Sequence, residues 1–159
     1  METENREALN AACKQYEIIR STLNLKVIAA IPCFNTEHSI TQVIKHAREY
    51  TDGIIVIDDG SLDRTSVAAS AAGAKVINHN VNKGYGAAIK SCLKAFQNSD
   101  ADILVTIDGD GQHNPDEIPL LVRPILDQQA DVVIGSRFMN NHLNMPRYRK
   151  FGIKVITFL

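Results

Sequence analysis

Short runs rich in β-branched residues alternate along this chain with longer segments that have the composition of helices. This alternation is typical of βαβ units, in which crossover helices connect the strands of a parallel sheet. We therefore predict an α/β fold with helices on both faces of a mostly parallel sheet. The predicted strands cover about residues 25–31, 53–57, 74–78, 102–107 and 131–134, and the predicted helices about 39–50, 63–72, 84–98 and 115–128.

A further amphipathic helix is predicted over about residues 4–20, ahead of the first strand. Its apolar residues recur at helical spacing, at Leu9, Cys13, Tyr16 and Ile19. We expect this segment to pack on the domain or on a partner, which divides the chain into an N-terminal helical extension at 1–24 and a domain at 25–159. Ser61 and Asn114 precede two of the later helices and are predicted to cap them.

Length and charge limit the classes of function. The chain has 159 residues, of which 45% are hydrophobic, so it is long enough for one domain with a real core. The net charge of −1 provides no general attraction to nucleic acid, so we predict no nucleic-acid partner and expect a small anionic ligand instead. The odd number of cysteines and the lack of zinc-ligand spacing favour a reducing, cytoplasmic compartment.

Polar residues follow every predicted strand. Parallel strands place their carboxyl ends at one edge of the sheet, where open α/β folds bind ligands. Asp58 and Asp59 follow the second strand, although acidic residues here could also simply cap the next helix. The Lys83-Gly84-Tyr85-Gly86 segment opens a predicted helix, and a helix N-terminus with a neighbouring lysine can bind an anion.

The strand that ends at Ile107 leads into Asp108-Gly109-Asp110-Gly111-Gln112, which offers carboxylate and amide oxygens suited to Mg²⁺ or Mn²⁺ bound with phosphate oxygens. Two other interpretations remain open. The alternating oxygen donors also resemble the start of an EF-hand, but that loop needs glycine and glutamate where this chain has His113 and Pro119. Asp-Gly pairs are also ordinary turn formers.

Taken in order, these motifs resemble those of glycosyltransferase family 2, the inverting nucleotide-sugar transferases with the GT-A fold. The resemblance extends from about residue 25 to 159 and rests on the following segments: Pro32-Cys33-Phe34-Asn35, Asp58-Asp59-Gly60-Ser61-Leu62-Asp63, Asn82-Lys83-Gly84, Asp108-Gly109-Asp110-Gly111-Gln112-His113 and Gly135-Ser136-Arg137. The continuation Gln112-His113-Asn114-Pro115, with Phe138 and Tyr148-Arg149-Lys150, most resembles the polyprenyl-phosphate (dolichyl-phosphate type) hexosyltransferases. The implied fold is a Rossmann-like GT-A sheet, with 25–159 as the donor half that binds nucleotide-sugar.

The resemblance also implies roles for single residues. Asp110 and Gln112 would bind Mg²⁺ or Mn²⁺, and Asp108 would lie near the ribose and the water shell of the metal. Asp59 would accept a hydrogen bond from the imide of the base. Arg137 and Arg149 would hold phosphate charge, which suits the fixed fork of a guanidinium group. The implied catalytic residues are Asp108, Asp110 and Arg137, and the implied donor-binding residues also include Pro32, Phe34, Asn35, Glu37, Lys83 and Gly84.

The family often has an acidic residue directly after the position of Asn35, whereas this chain has Thr36 there and Glu37 next. The role of His113 stays open between support of the acidic loop and simple packing.

The implied reaction transfers a hexose from a nucleotide-diphospho-sugar to a polyprenyl phosphate, with the cation and arginines stabilising the leaving diphosphate. A phosphate acceptor is already anionic, so it needs little help from a general base. The chain closes on an apolar, helix-like segment at 148–159, from which we expect a domain truncated on its acceptor side and self-association into a homo-oligomer. The implied polyprenyl-phosphate acceptor leads us to expect a location at the cytoplasmic face of a membrane.

Two other classes of function remain. A nucleotide-sugar-binding module without turnover would use the same residues but consume no donor. A sugar nucleotidyltransferase would usually carry a glycine-rich basic loop after the first strand, where this chain has Pro32-Cys33-Phe34-Asn35.

Overall fold

The computed structural model describes residues 2–135, apart from the side chains of residues 2–10 and 12. Five α-helices, four strands and a short 3₁₀ helix follow one another within that range. In chain order they are α1 (Glu2–Leu23), β1 (Val27–Cys33), α2 (Ile40–Ala47), β2 (Gly53–Asp58), α3 (Thr65–Ala71), β3 (Lys75–Asn78), α4 (Tyr85–Gln97), β4 (Ile103–Thr106), the 3₁₀ helix (Pro115–Glu117) and α5 (Ile118–Leu126).

The strands form a parallel sheet in the order β3-β2-β1-β4. Ala30 at the centre of β1 stands opposite Ile55 of β2 on one side and Thr106 of β4 on the other. The chain therefore winds outward from β1 through β2 and β3, and then returns to place β4 on the opposite side of β1. The predicted α/β fold with a parallel sheet is confirmed.

The centre of the sheet is buried on both faces because helices cover it from both sides. Side chains of β1 alternate between the faces, so Ala29 and Ile31 pack with α1, α2 and α5, whereas Ile28 and Ala30 pack with α4. Every residue of β1 is buried, which explains why this strand reads as a continuous apolar run. Burial of one side chain such as that of Ile31 contributes about 1.5–3 kcal/mol of the free energy of folding.

The second half of helix α1 contacts the rest of the domain. The fully buried side chain of Tyr16 donates a hydrogen bond of 2.6 Å to the carbonyl oxygen of Tyr50, and Gln15 accepts one of 2.6 Å from Arg123 of α5. Within residues 2–135, no helix has both the length and the apolar character needed to cross a membrane. The division of the chain at residue 24 stays a prediction.

Two sequence predictions were wrong in detail. Residues 131–134 form no strand: Val132 and Ile134 are 76% and 86% exposed, and these residues pair with no strand in the described part of the chain. A β-branched composition favours a strand only where a neighbouring strand supplies hydrogen bonds and packing. Ser61 does not cap α3. Asp63 instead accepts the hydrogen bond from the amide of Thr65, at 2.9 Å.

The predicted helix over 115–128 begins with the 3₁₀ helix before it continues as α5. Asn114 caps this start as predicted, since its side chain accepts a hydrogen bond of 3.2 Å from the amide of Asp116.

Candidate functional site

A crevice opens at the carboxyl edge of the sheet between β1 and β4. The strand order reverses at this point, and ligands of open α/β sheets bind in such a crevice. Strand β1 runs on to Cys33, whereas its pairing with β4 ends at Ala30. The next β1 position facing β4 is Pro32, which has no amide hydrogen to continue the ladder. Pro32 is buried inside the strand, so the ladder between β1 and β4 stops at the edge where the crevice opens.

The acidic loop after β4 borders this crevice and is held by its own hydrogen bonds. Oδ1 of Asp110 accepts a bond of 2.9 Å from the amide of Gln112. The amide of Asp108 donates a bond of 3.1 Å to Nδ1 of His113. Asp110 and Gln112 are exposed, and the side chain of Asp108 is 34% exposed. The loop therefore presents oxygen ligands from a backbone that is already fixed.

His113 supports the loop through its ring. A backbone amide can only donate, so Nδ1 of His113 must be unprotonated, and the proton of the neutral ring lies on Nε2. Nε2 lies 3.7 Å from Oδ2 of Asp108. The same side chain thus approaches both the backbone and the carboxylate of Asp108.

Gly109 is the point where this loop meets β1. A Cβ atom at position 109 would lie 2.4 Å from Sγ of Cys33 and 3.4 Å from side-chain atoms of Ile31 and Ile40. The carbonyl oxygen of Gly109 also accepts a hydrogen bond of 2.7 Å from the hydroxyl of Ser39. Only a residue without a side chain lets the acidic loop lie this close to the end of β1.

The loop after β1 is bound to the loop after β2. The backbone amide of Asn35 donates a hydrogen bond of 2.9 Å to Oγ of Ser61. Its side-chain oxygen Oδ1 accepts one of 2.9 Å from the backbone amide of Leu62. Oε2 of Glu37 accepts a bond of 2.9 Å from the amide of Arg64. Asn35 and Glu37 therefore hold the loop after β1 against the loop after β2, and their contact with a donor stays a prediction. Phe34 is 44% exposed beside them.

The two aspartates after β2 act differently. Asp58 accepts from the amide of Ser61 at 2.9 Å and from the hydroxyl of Ser66, so it fixes its own turn and the start of α3. Asp59 makes no hydrogen bond to α3. It accepts instead from the amides of Lys83 and Gly84, at 3.0 and 2.7 Å, and lies 2.5 Å from Nδ1 of His79.

Burial acts to raise the pKa of the Asp59 carboxyl, but the hydrogen bonds from His79 and from the amides of Lys83 and Gly84 outweigh it. The net pKa lies below the ordinary value for aspartate, so Asp59 is an ionised acceptor at neutral pH. Asp59 therefore does not cap the next helix, and Asp58 contacts the start of α3 only through the hydroxyl of Ser66.

Helix α4 begins beside the acidic loop. Gly84 precedes it, and the hydroxyl of Tyr85 donates a hydrogen bond of 3.2 Å to Oδ1 of Asp108. Burial and the nearby negative charge of Asp108 raise the pKa of the Tyr85 hydroxyl, which keeps it protonated as a donor. The exposed Lys83 and the free amides at the start of α4 supply positive potential on this side of the crevice.

The described residues bring together most of the predicted site. Pro32, Phe34, Asp59, Gly84, Asp108 and Asp110 come from four different loops or strand ends at one edge. Arg137 and Arg149 lie outside the described residues, as does the predicted apolar helix at 148–159. Sequence reasoning missed His79 and Ser91, and did not single out Tyr85. The available signal was a histidine directly after a β-rich run that ends at the same sheet edge.

The parallel sheet, its reversed strand order and the acidic loop define a GT-A domain. Its fold matches that of glucosyl-3-phosphoglycerate synthase from Mycobacterium tuberculosis, solved in complex with Mn²⁺, uridine diphosphate and glucosyl-3-phosphoglycerate. The TM-score is 0.60 and the sequence identity 30%, over 72% of this chain and 43% of that one.

Residues 28–155 match the family described as glycosyl transferase family 2, and the chain belongs to that family. A UDP-N-acetylglucosamine–dolichyl-phosphate N-acetylglucosaminyltransferase of Methanococcus voltae is 36% identical over 81% of this chain and 61% of its own length. A dolichol-phosphate mannosyltransferase of Pyrococcus furiosus is 32% identical over 79% of this chain and 38% of its own length. The predicted fold and family are confirmed, and the chain spans less than two thirds of these relatives.

Proposed function

We propose that this chain forms the donor-binding part of a metal-dependent, inverting glycosyltransferase. The reaction would move a hexose from a nucleotide-diphospho-sugar to a polyprenyl phosphate. The observation that carries the proposal is the fixed acidic loop that holds Asp108, Asp110 and Gln112 at the reversal of strand order, with Asp108 bonded to Tyr85 at the N-terminus of α4.

The oxygen donors of this loop fit a hard divalent cation. Mg²⁺ is usually held by one or two carboxylates together with substrate phosphates and water. Among the side chains that the structure describes, no group of three or more from His, Cys, Asp or Glu could hold a metal alone. Asp110 and Gln112 would therefore hold Mg²⁺ or Mn²⁺ only together with the diphosphate of the donor, while Asp108 would lie by the ribose and the metal's water shell.

The nucleoside would lie between the loops that follow β1, β2 and β3. Pro32, Phe34, Lys83 and Gly84 would shape its pocket. A carboxylate offers about four acceptor positions, and Asp59 uses three of them for His79, Lys83 and Gly84. The fourth position, on Oδ2, is suited to the N–H of a base imide, as in uracil.

The bound cation would stabilise the charge that develops on the departing nucleoside diphosphate. Arg137 and Arg149 are proposed to share this charge. The acceptor would attack the anomeric carbon from the face opposite the leaving group, which inverts the configuration. The names of the Methanococcus and Pyrococcus relatives support a dolichyl-type phosphate acceptor. Self-association and location at the cytoplasmic face of a membrane stay predictions.

Calorimetry with uridine diphosphate tests the metal site directly. We expect Mn²⁺ to tighten nucleotide binding at least about tenfold over a chelator, which is about 1.4 kcal/mol. D110A should abolish that gain, because it removes a ligand completed only by the diphosphate. D100A is the matched control, since Asp100 is an exposed carboxylate at the opposite edge that pairs with Lys26. Equal affinity with Mn²⁺ and with chelator would contradict the proposal.

A second candidate is a nucleotide-sugar-binding module without turnover, which would use the same acidic loop and the same carboxylate of Asp59. A radiolabelled-donor assay with polyprenyl phosphate separates the two candidates. Metal-dependent binding without consumption of the donor, even with added acceptor, would favour the binding module.

A further inference from the structure

His79 links three elements that form the base side of the crevice. It directly follows β3, its amide donates a bond of 2.8 Å to the carbonyl oxygen of Asp58, and its side chain is only 9% exposed. Nδ1 lies 2.5 Å from Oδ1 of Asp59, and Nε2 lies 2.8 Å from Oγ of Ser91 in α4. The ring therefore spans from the end of β2 to the middle of a helix.

The chemistry of these partners fixes the position of the ring proton. The ionised carboxylate of Asp59 can only accept, so Nδ1 of His79 carries a proton and donates it. In the neutral ring, Nε2 then accepts from the hydroxyl of Ser91. The pair of hydrogen bonds holds the ring in one tautomer and one orientation, as supporting residues do for functional histidines.

The carboxylate of Asp59 is in turn held from both sides. Oδ1 receives His79 and the amide of Lys83, and Oδ2 receives the amide of Gly84. Without the donor at Nδ1, the buried carboxylate would lose a charge-assisted hydrogen bond and could rotate toward other donors. The free acceptor position on Oδ2 would then no longer point in a fixed direction.

We propose that His79, held by Ser91, is a positioning residue for the nucleotide base: it orients the Asp59 carboxylate so that one oxygen stays free to accept from a base N–H. This inference rests on the proposed function. It assigns His79 no contact with the diphosphate, so its loss should weaken binding of the nucleoside portion and spare the metal-diphosphate portion.

The test compares the dissociation constants of uridine diphosphate and of inorganic diphosphate, both with Mn²⁺, for three variants. H79L removes the proton donor while keeping an apolar side chain of moderate size. H79N places an amide N–H near the position of Nδ1 and should restore the donation. S91A removes only the distant hydrogen bond and leaves His79 in place, so it reports on orientation even if H79L fails to fold.

We expect H79L to weaken uridine diphosphate binding about tenfold or more, in line with the loss of a hydrogen bond to a charged group. The dissociation constant of inorganic diphosphate should change by less than about twofold in every variant. H79N should recover most of the lost affinity. S91A should weaken the binding of uridine diphosphate by about two- to fivefold, as expected for the loss of one neutral hydrogen bond.

Equal losses for both ligands would show a merely structural role and overturn the inference. Failure of H79N to recover binding, or an unchanged ratio of the two constants in S91A, would do the same. If the unaltered protein binds neither ligand with Mn²⁺, the proposed function itself fails. If the unaltered protein binds uridine diphosphate and the three variants bind it equally well, the role of His79 is refuted while the proposed function stands.

Discussion

Gly109 provides a quantitative test of how the acidic loop is positioned. The substitution G109A adds one methyl group at 2.4 Å from Sγ of Cys33, well inside contact distance. The two other near atoms, on Ile31 and Ile40, lie at 3.4 Å, which is ordinary packing. The clash is therefore with one sulfur atom, and that atom belongs to a buried side chain at the end of β1.

Overpacking of this kind costs about 1–3 kcal/mol, because buried neighbours can shift only slightly. We expect G109A to lower the free energy of unfolding by about 2 kcal/mol, or Tm by roughly 4–8 °C for a domain of this size. The displaced loop should also bind uridine diphosphate and Mn²⁺ more weakly, since Gly109 lies between Asp108 and Asp110.

A double-mutant cycle in urea identifies the cause. C33A removes the sulfur atom, so G109A should cost at least about 1 kcal/mol less in a C33A background than in the unaltered chain. The matched control is A72G or another change remote from the crevice, which should be additive with G109A within about 0.5 kcal/mol. A cost of G109A below about 0.5 kcal/mol, or the same cost in both backgrounds, would refute the steric argument.

Two further predictions concern the base side of the crevice. Gly60 has a φ of +76°, and a Cβ atom there would lie 2.5 Å from the backbone of Val81. G60A should therefore destabilise the fold by more than about 1 kcal/mol and weaken nucleotide binding. An unchanged Tm would contradict this prediction. Because the pKa of Asp59 is lower in the folded than in the unfolded chain, its ionised carboxylate stabilises the fold at pH values above the unfolded-state pKa. That stabilisation is lost as the pH falls through the pKa of the folded state. The Tm difference between the unaltered chain and D59N should therefore shrink below about pH 4, and a constant difference would argue against an ionised Asp59.

Local sequence patterns determined the elements of this domain. The apolar runs of β1, β2 and β4 are short, β-branched and bounded by polar residues, so they identify buried parallel strands without any knowledge of their neighbours. The oxygen-rich Asp108–Gln112 segment could likewise be recognised, because the strand before it and the ligand types within it are contiguous in the chain. Asn114 was identifiable as a cap for the same reason, since it bonds to the amide only two residues away.

Only the tertiary structure decided which groups meet at the crevice. The contact of Gly109 with Cys33 and the bonds of Asp59 to His79, Lys83 and Gly84 join residues that are far apart in sequence. Residues 131–134 also show that a local pattern does not determine pairing. Their apolar pattern is that of a strand, but they pair with no strand in the described part of the chain. Periodicity is a property of neighbouring residues, whereas strand order and hydrogen-bond partners depend on how distant segments pack, which no local pattern specifies.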